Sequence, residues 1–265
     1  MRITRLSWGC AHSTIEVLEI QPCGREAAVD ALETLQKWVG EGRNIVFFGG
    51  AGVSTESGIP DFRGAGGLYG RKYAHPPEEM LSAGFFSRNP EAFYRFYREE
   101  VLRLSAEPNA AHKKLAAWER EGRLGAVVTQ NIDGLHQRAG SERVWELHGS
   151  VYKNRCVRCG RAYGVEAVAE GEGVPRCACG GVIRPEVVLY GENLDPGVLT
   201  GAAAAIASAD LLIVGGTSLV VYPAAGLLDY YGGDRLVLIN RTATGRDDRA
   251  NLVLRASIGE VFSAL

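Results

Sequence analysis

Apolar residues recur along the chain in two alternating patterns. Ala28, Ala31, Leu32, Leu35 and Trp38 follow helical spacing, and Gly40 stands behind them as a stop signal. Next comes a continuous apolar run at 44–48, the pattern of a parallel strand covered on both faces. Similar runs occupy 125–129, 187–190, 211–215 and 235–239, and they end in TQNID, GEN, GGTS and NRT. Helical patterns separate several of these runs. The spacing predicts an α/β chain built on a doubly wound parallel sheet, with its chemistry gathered where the strands end.

Two stretches break that pattern and imply a smaller second domain. Residues 65–105 are rich in aromatics, with FYRFYREEV at helical spacing, and read as a helical insertion; residues 151–185 carry four cysteines and many glycines. The Rossmann-like domain would then comprise 25–64, 106–150 and 186–265. Residues 1–24 show no clear periodicity and read as an N-terminal extension. They lack the apolar core of a secretory signal, while an organellar presequence stays open.

A chain of 265 residues fits one large domain plus an insertion better than two equal halves. Its 29 basic and 31 acidic residues leave a net charge of −2, which offers no whole-chain attraction to nucleic acid or a membrane surface. No apolar run approaches the roughly 18 to 20 residues that span a bilayer. The chain therefore reads as a cytoplasmic, non-membrane protein with no direct nucleic-acid binding.

Cys156 and Cys159 form a C-x2-C pair, and Cys177 and Cys179 a C-x-C pair after 17 intervening residues. Two close thiolate pairs suit tetrahedral Zn2+, each pair supplying two corners. No acid or base for catalysis falls in the pattern, so the metal reads as structural. Reduced or disulfide-bonded cysteines without metal are the other reading. The shorter bite of C-x-C implies a strained site. Cys10 and Cys23 lie outside the pattern and read as free thiols.

At the first strand end, GGAGVSTESG places glycines before a helix start, where backbone N–H groups bind phosphate. Thr55 stands where the third glycine of G-x-G-x-x-G belongs, and no acidic residue follows at dehydrogenase spacing. A purely structural glycine turn is the alternative. TQNIDGLH gathers Gln130, Asn131 and Asp133, three polar groups suited to amide or hydroxyl edges, or to helix capping. In VWELHGS, His148 is either structural or a general base with a near-neutral pKa.

Together GAGVSTESGIPDFRG, TQNIDGLH, ELHG, the paired cysteines, VVLYGE, GTSLVVYPAA and LIN, in this order, resemble the sirtuin family of NAD-dependent protein-lysine deacylases, bacterial or archaeal type. The resemblance runs from about Arg25 to the C-terminus. It implies NAD as co-substrate in an inverted orientation, which accounts for the missing acidic residue. It places Ala51, Gly52 and Thr55 along the phosphates and ribose, with Asp61 in the same loop, Arg63 assisting and Gln130 at the nicotinamide ribose. Ile59, Asn131, Ile132 and Asp133 would form the nicotinamide pocket, while Gly216, Thr217, Ser218 and Asn240 meet the adenosine half and Ile258 packs near adenine. Phe62 would shield the reactive carbon after nicotinamide leaves, core packing being its other use. His148 and Asn131 are the implied catalytic residues, His148 acting as base on the ribose hydroxyls.

By the same resemblance an acetyl-lysine peptide would add as a strand between segments near Gly191–Glu192 and Leu219–Val220. Val188 and Tyr190 would line the lysine tunnel, although Val188 equally suits a sheet core. Members that prefer acidic acyl groups carry tyrosine and, three residues later, arginine. Tyr97 and Glu100 match those positions here, and an acidic Glu100 favours acetyl or another uncharged acyl group. ADP-ribosyl transfer, NAD hydrolysis and a non-catalytic NAD-sensing module are the competing functions. The oligomeric state is not readable from the sequence.

Overall fold

The computed structural model describes residues 16–18, 25–64 and 66–265. Expectations for the rest of the N-terminal stretch, including Cys10 and Cys23, lie outside the described residues. Strands β1 (Glu16–Leu18), β2 (Ile45–Gly49), β3 (Leu124–Thr129), β4 (Val144–Glu146), β8 (Leu211–Gly215), β9 (Leu236–Ile239) and β10 (Leu252–Leu254) form one parallel sheet. Its order is β1-β10-β9-β8-β2-β3-β4. From β2 the chain passes to β3 on one side, and β8 occupies the other, so the order reverses beside β2. Such a reversal opens a crevice at the strand ends.

The continuous apolar runs are explained by burial on both faces. Phe47, Val127, Ile213 and Val237 face α1 (Arg25–Glu41), α5 (Ala110–Arg120) and α9 (Ile258–Ala264), whose Leu35, Leu115 and Phe262 pack against them. Val46, Phe48, Val128 and Val214 face α8 (Pro196–Ser208) and the turn at Ala224–Tyr230. Helix α1 runs one residue past Gly40, the expected stop.

The remaining elements form the smaller unit. Strands β5 (Gly149–Cys156), β6 (Ala162–Tyr163) and β7 (Ile183–Val187) make an antiparallel sheet in the order β6-β5-β7. Helices α2 (Pro77–Met80), α3 (Ala83–Arg88) and α4 (Pro90–Phe96) pack on it with α7 (Glu166–Ala169); α6 (Leu135–Ala139) belongs to the large unit against α5. Phe85, Phe93, Tyr94 and Tyr97 share one core with Val168, Ile183, Cys156 and Cys177, so the helical insertion and the cysteine segment bury a common apolar surface.

One expected strand is corrected. The run 187–190 does not enter the parallel sheet: β7 ends at Val187 in the antiparallel sheet, and 188–190 continue as a connector. Tyr190 makes an isolated parallel bridge with Ser82. An apolar run bounded by polar residues looks the same in either setting.

Candidate active site

The parallel register brings four strand ends level: Gly49 pairs with Thr129 and with Gly215, and Gly215 with Ile239. The loops leaving them line one wall of a cavity of about 530 Å³; the connector after β7 and the aromatic insertion line the other. Close backbone approach explains its glycines. The Gly52 N–H donates to Gly216 O at 2.8 Å. A Cβ on Gly52 would lie 2.7 Å from Gly216 Cα, and Gly216 itself has a φ of 62°. Ala51 and Thr55 line the cavity beside this contact, and the Thr55 hydroxyl donates to Gly52 O at 3.0 Å.

Two of the three polar groups from TQNID, Asn131 and Asp133, converge through one residue the sequence did not single out. The Asn131 Nδ2 donates to Ser54 Oγ at 3.1 Å, and Ser54 donates to Asp133 Oδ2 at 2.6 Å. The Leu135 N–H closes the set by donating to Asp133 Oδ1 at 2.9 Å. Burial lifts the Asp133 carboxyl above its usual range, while these donors oppose the rise. Ile59 and Ile132 supply apolar wall beside the network. Gln130 leaves it and instead donates from Nε2 to Thr217 Oγ1 at 2.9 Å. Asn240 then braces Thr217 through Oδ1, which accepts from its N–H at 3.0 Å, and Nδ2, which donates to its carbonyl at 2.9 Å. Ser218 lines the cavity next to that pair.

His148 follows β4 and reaches the same cavity. Its Nδ1 lies 2.9 Å from Gln130 O. A carbonyl only accepts, so Nδ1 carries the proton and Nε2 keeps its lone pair. Burial lowers the His148 pKa, with the Gln130 carbonyl working the other way, so the ring is neutral at neutral pH. A neutral imidazole with a free nitrogen can take a proton.

Phe62, Asp61 and Arg63 line the cavity from the turn after the glycine loop. The Asp61 Oδ1 accepts from Gly64 N at 2.7 Å and so serves that turn. Ile258 is buried at the start of α9 and lines the opposite end. Two further residues had no local signal. Glu56 accepts from Gly259 N at 3.2 Å, tying the loop to that helix start. The Asn109 Nδ2 donates to Val53 O at 2.7 Å while its Oδ1 caps α5.

Val188, Tyr190, Gly191 and Glu192 line the cavity. The Glu192 carboxylate accepts from Leu189 N at 2.9 Å and from Arg184 Nη2 at 2.5 Å. Leu219 and Val220 are outside the lining: Leu219 is buried in the core with a φ of 55°, and Val220 is exposed. Tyr97 and Glu100 line the wall contributed by the insertion. Glu100 pairs with Arg71 at 2.9 Å and Arg103 at 3.4 Å, so its charge is compensated. Arg98 points away, bonding Val168 O at 2.7 Å.

The four Sγ atoms of Cys156, Cys159, Cys177 and Cys179 lie within 4.8 Å of one another. Cys156 and Cys179 are 3.5 Å apart, and Cys159 and Cys177 3.6 Å. Tetrahedral zinc with Zn–S bonds of about 2.3 Å needs edges of roughly 3.8 Å, close to these two separations between the pairs, so the four-sulfur set fits. The Cys179 backbone N–H and the Tyr163 hydroxyl pull the Cys177 thiol down to about 6, while against a bond from the Gly181 N–H the neighbouring sulfurs push Cys179 up to about 11.

A parallel α/β sheet with glycine loops, a buried polar network and a neutral imidazole at its reversal point has the architecture of a dinucleotide-using enzyme, here with a four-cysteine appendage that fits zinc. The profile of the Sir2 family matches residues 50–223, and the chain belongs to that family. Among relatives, an NAD-dependent protein deacetylase of Clostridium acetobutylicum is 53% identical over 89% of this chain and 98% of its own length. One from Cutibacterium acnes is 54% identical over 88% and 96%. Among solved structures, a Sir2 complex with deacetylated p53 peptide and acetyl ADP-ribose aligns at a TM-score of 0.81 and 43% identity, covering 88% of this chain and 96% of that one. A Sir2 complex with p53 peptide and NAD+ aligns at 0.78 and 42%, covering 88% and 95%. No helix among the described residues is long and apolar enough to cross a membrane.

Proposed function

We propose that the chain is an NAD-dependent protein-lysine deacetylase that transfers the acetyl group to ADP-ribose with release of nicotinamide. The observation that carries this is the neutral, free Nε2 of His148 in the same cavity as the Asn131–Ser54–Asp133 network. NAD, when bound, supplies a ribose carbon that becomes electrophilic as nicotinamide leaves, within reach of an amide oxygen. Asp133 and Asn131 hold the carboxamide, with Ile59 and Ile132 as apolar walls. Gly52, Ala51, Thr55 and Arg63 take the phosphates and ribose, and Gln130 the nicotinamide ribose. Thr217, Gly216, Ser218, Asn240 and Ile258 receive the adenosine end. Phe62 excludes water from the reacting centre, where proximity replaces a bimolecular encounter. His148 accepts the proton of a ribose hydroxyl.

The substrate is an acetyl-lysine segment of a protein, paired as a strand with the backbone near Gly191–Glu192 and Leu219–Val220. Residues 65–105 and 151–185 serve as the small domain against the NAD-binding remainder. Four cysteines kept as zinc ligands fit the reducing cytoplasm. An uncharged acyl chain is favoured because the guanidinium groups of Arg71 and Arg103 are already committed to Glu100.

The test is to incubate the pure protein with NAD and peptides bearing acetyl or succinyl lysine, following products by mass spectrometry. Expected are peptide-dependent nicotinamide release and an acetylated ADP-ribose, with little turnover of the succinyl peptide. A His148→Ala variant should lose deacylation and retain cofactor binding. Nicotinamide release indifferent to peptide would support the hydrolase or ADP-ribosyltransferase, and binding without turnover the sensing module.

A further inference from the structure

Tyr190, which lines the cavity, meets Tyr69 hydroxyl to hydroxyl at 2.5 Å. Their mountings are what give this contact consequence. Tyr69 stands on the turn that carries Phe62 and Arg63. Its N–H donates to Phe62 O at 2.9 Å, its ring packs edge-on against Phe62 with centroids 5.7 Å apart, and the Arg63 guanidinium lies 5.2 Å over it.

Tyr190 stands on the connector that touches the base. Val188, two residues before it, donates its N–H to His148 O at 2.9 Å. The Tyr190 backbone is bonded on both sides to the insertion, its N–H donating to Leu81 O and its carbonyl accepting from Ala83 N, each at 3.0 Å. The Leu189 N–H bond to Glu192 holds the adjoining turn. The hydroxyl of Tyr190 is therefore presented from a fixed frame, and little entropy is lost in making its bond.

Resting on the proposed deacetylase reading, we propose that Tyr69 and Tyr190 are a positioning pair: their hydroxyl bond fixes Phe62 and Arg63 relative to His148, and it links occupation of the peptide segment to affinity for the ADP-ribose half of NAD. Neither hydroxyl touches a reacting atom in this assignment. Both act through the residues they hold, and because coupling between two ligands is reciprocal, each ligand tightens the other.

The experiment compares the parent with Tyr69→Phe, Tyr190→Phe and the double variant, each keeping its ring and differing by one oxygen per site. Calorimetry measures ADP-ribose affinity with and without acetyl-lysine peptide, steady-state assays give KM for NAD and kcat, and thermal midpoints confirm folding. Tyr69→Phe is expected to raise KM for NAD at least about threefold with kcat within about twofold, Tyr190→Phe, whose ring lines the cavity, to raise KM for NAD by a similar factor, and each to erase most of the peptide-induced gain in ADP-ribose affinity. The double variant should match the singles, because one bond is lost in every case. Parent-like affinities in the single variants, or a double variant whose loss is the product of the two singles, would overturn the pair. Should the parent itself fail to deacetylate, the deacetylase reading falls on that measurement alone, and the ADP-ribose cycle still decides for or against the bond.

Discussion

The hydroxyl of Ser54 accepts from one amide and donates to one carboxylate, and both partners come from the strand end opposite it. Burial pushes the Asp133 carboxyl upward; the Ser54 hydroxyl and the Leu135 N–H hold it down. Removing the hydroxyl takes away the stronger opposition and leaves the Asn131 amide without its acceptor. Ser54→Ala should therefore lower kcat/KM for NAD about tenfold or more, the scale of one lost hydrogen bond to a charged group. Asp133 acts as an ionised acceptor, and a higher pKa means protonation at higher pH. The acid limb of the kcat/KM profile should accordingly move up in pH relative to the parent, and an unmoved limb would detach Ser54 from Asp133. The glycine-rich stretch around Ser54 was legible in the sequence, but the role of Ser54 within it was not. Asn131 is 77 positions away, and no local pattern records a partner brought in by parallel register.

At the scale of elements, the cysteine segment and the aromatic insertion stand or fall together, because Cys156 and Cys177 are buried in the same cluster as Phe93, Tyr94 and Tyr97. Cys177→Ser keeps the shape and removes a thiolate. It should reduce bound zinc from one equivalent per chain to a small fraction by elemental analysis, and destabilise the protein by at least about 3 kcal/mol, since metal binding there is folding free energy. A variant with full zinc content and an unchanged melting curve would refute the four-cysteine site. The C-x2-C and C-x-C spacings made this module legible, and all four sulfurs gather within reach of one ion. The run 187–190 was misread for a physical reason. Val187 and Leu189 are buried in the small unit's core, so a connector running between two units carries the same apolar signature as a central strand. Strands β1, β4 and β10 are each three residues long and too short for periodicity to reveal.

Across the whole molecule, the parallel sheet and its chemistry-bearing edge were readable from continuous apolar runs ending in polar residues. The support beneath that edge was not. His112 on α5 and His136 on α6 are almost wholly buried, with ring centroids 4.7 Å apart. Asn109, which caps α5 beside His112, also holds Val53 of the glycine loop. Burial lowers the His112 pKa to about 4 and pushes His136 well below its usual 6.5. In the unfolded chain both titrate near 6.5, so as pH falls below that value the unfolded state binds protons that the folded state refuses. Stability is then lost at about 1.4 kcal/mol per pH unit for each histidine, an effect that for His112 levels off near pH 4. Asp133, raised by burial, contributes the opposite slope just above its ordinary 3.8. Between pH 6 and pH 5 these two histidines should lower the melting temperature by roughly 5 to 10 °C, and His148, whose pKa burial also lowers, adds to the loss. His136→Leu removes one of them along with two buried ring nitrogens that have no hydrogen-bond partner, so the variant should melt no lower than the parent at pH 7.5 and lose distinctly less on acidification. Zinc release at low pH is common to both proteins and cancels in their difference. Thermal melts of parent and variant from pH 7.5 to 5 measure that difference, and parallel curves would show that the histidine pair is not what makes the fold sensitive to acid.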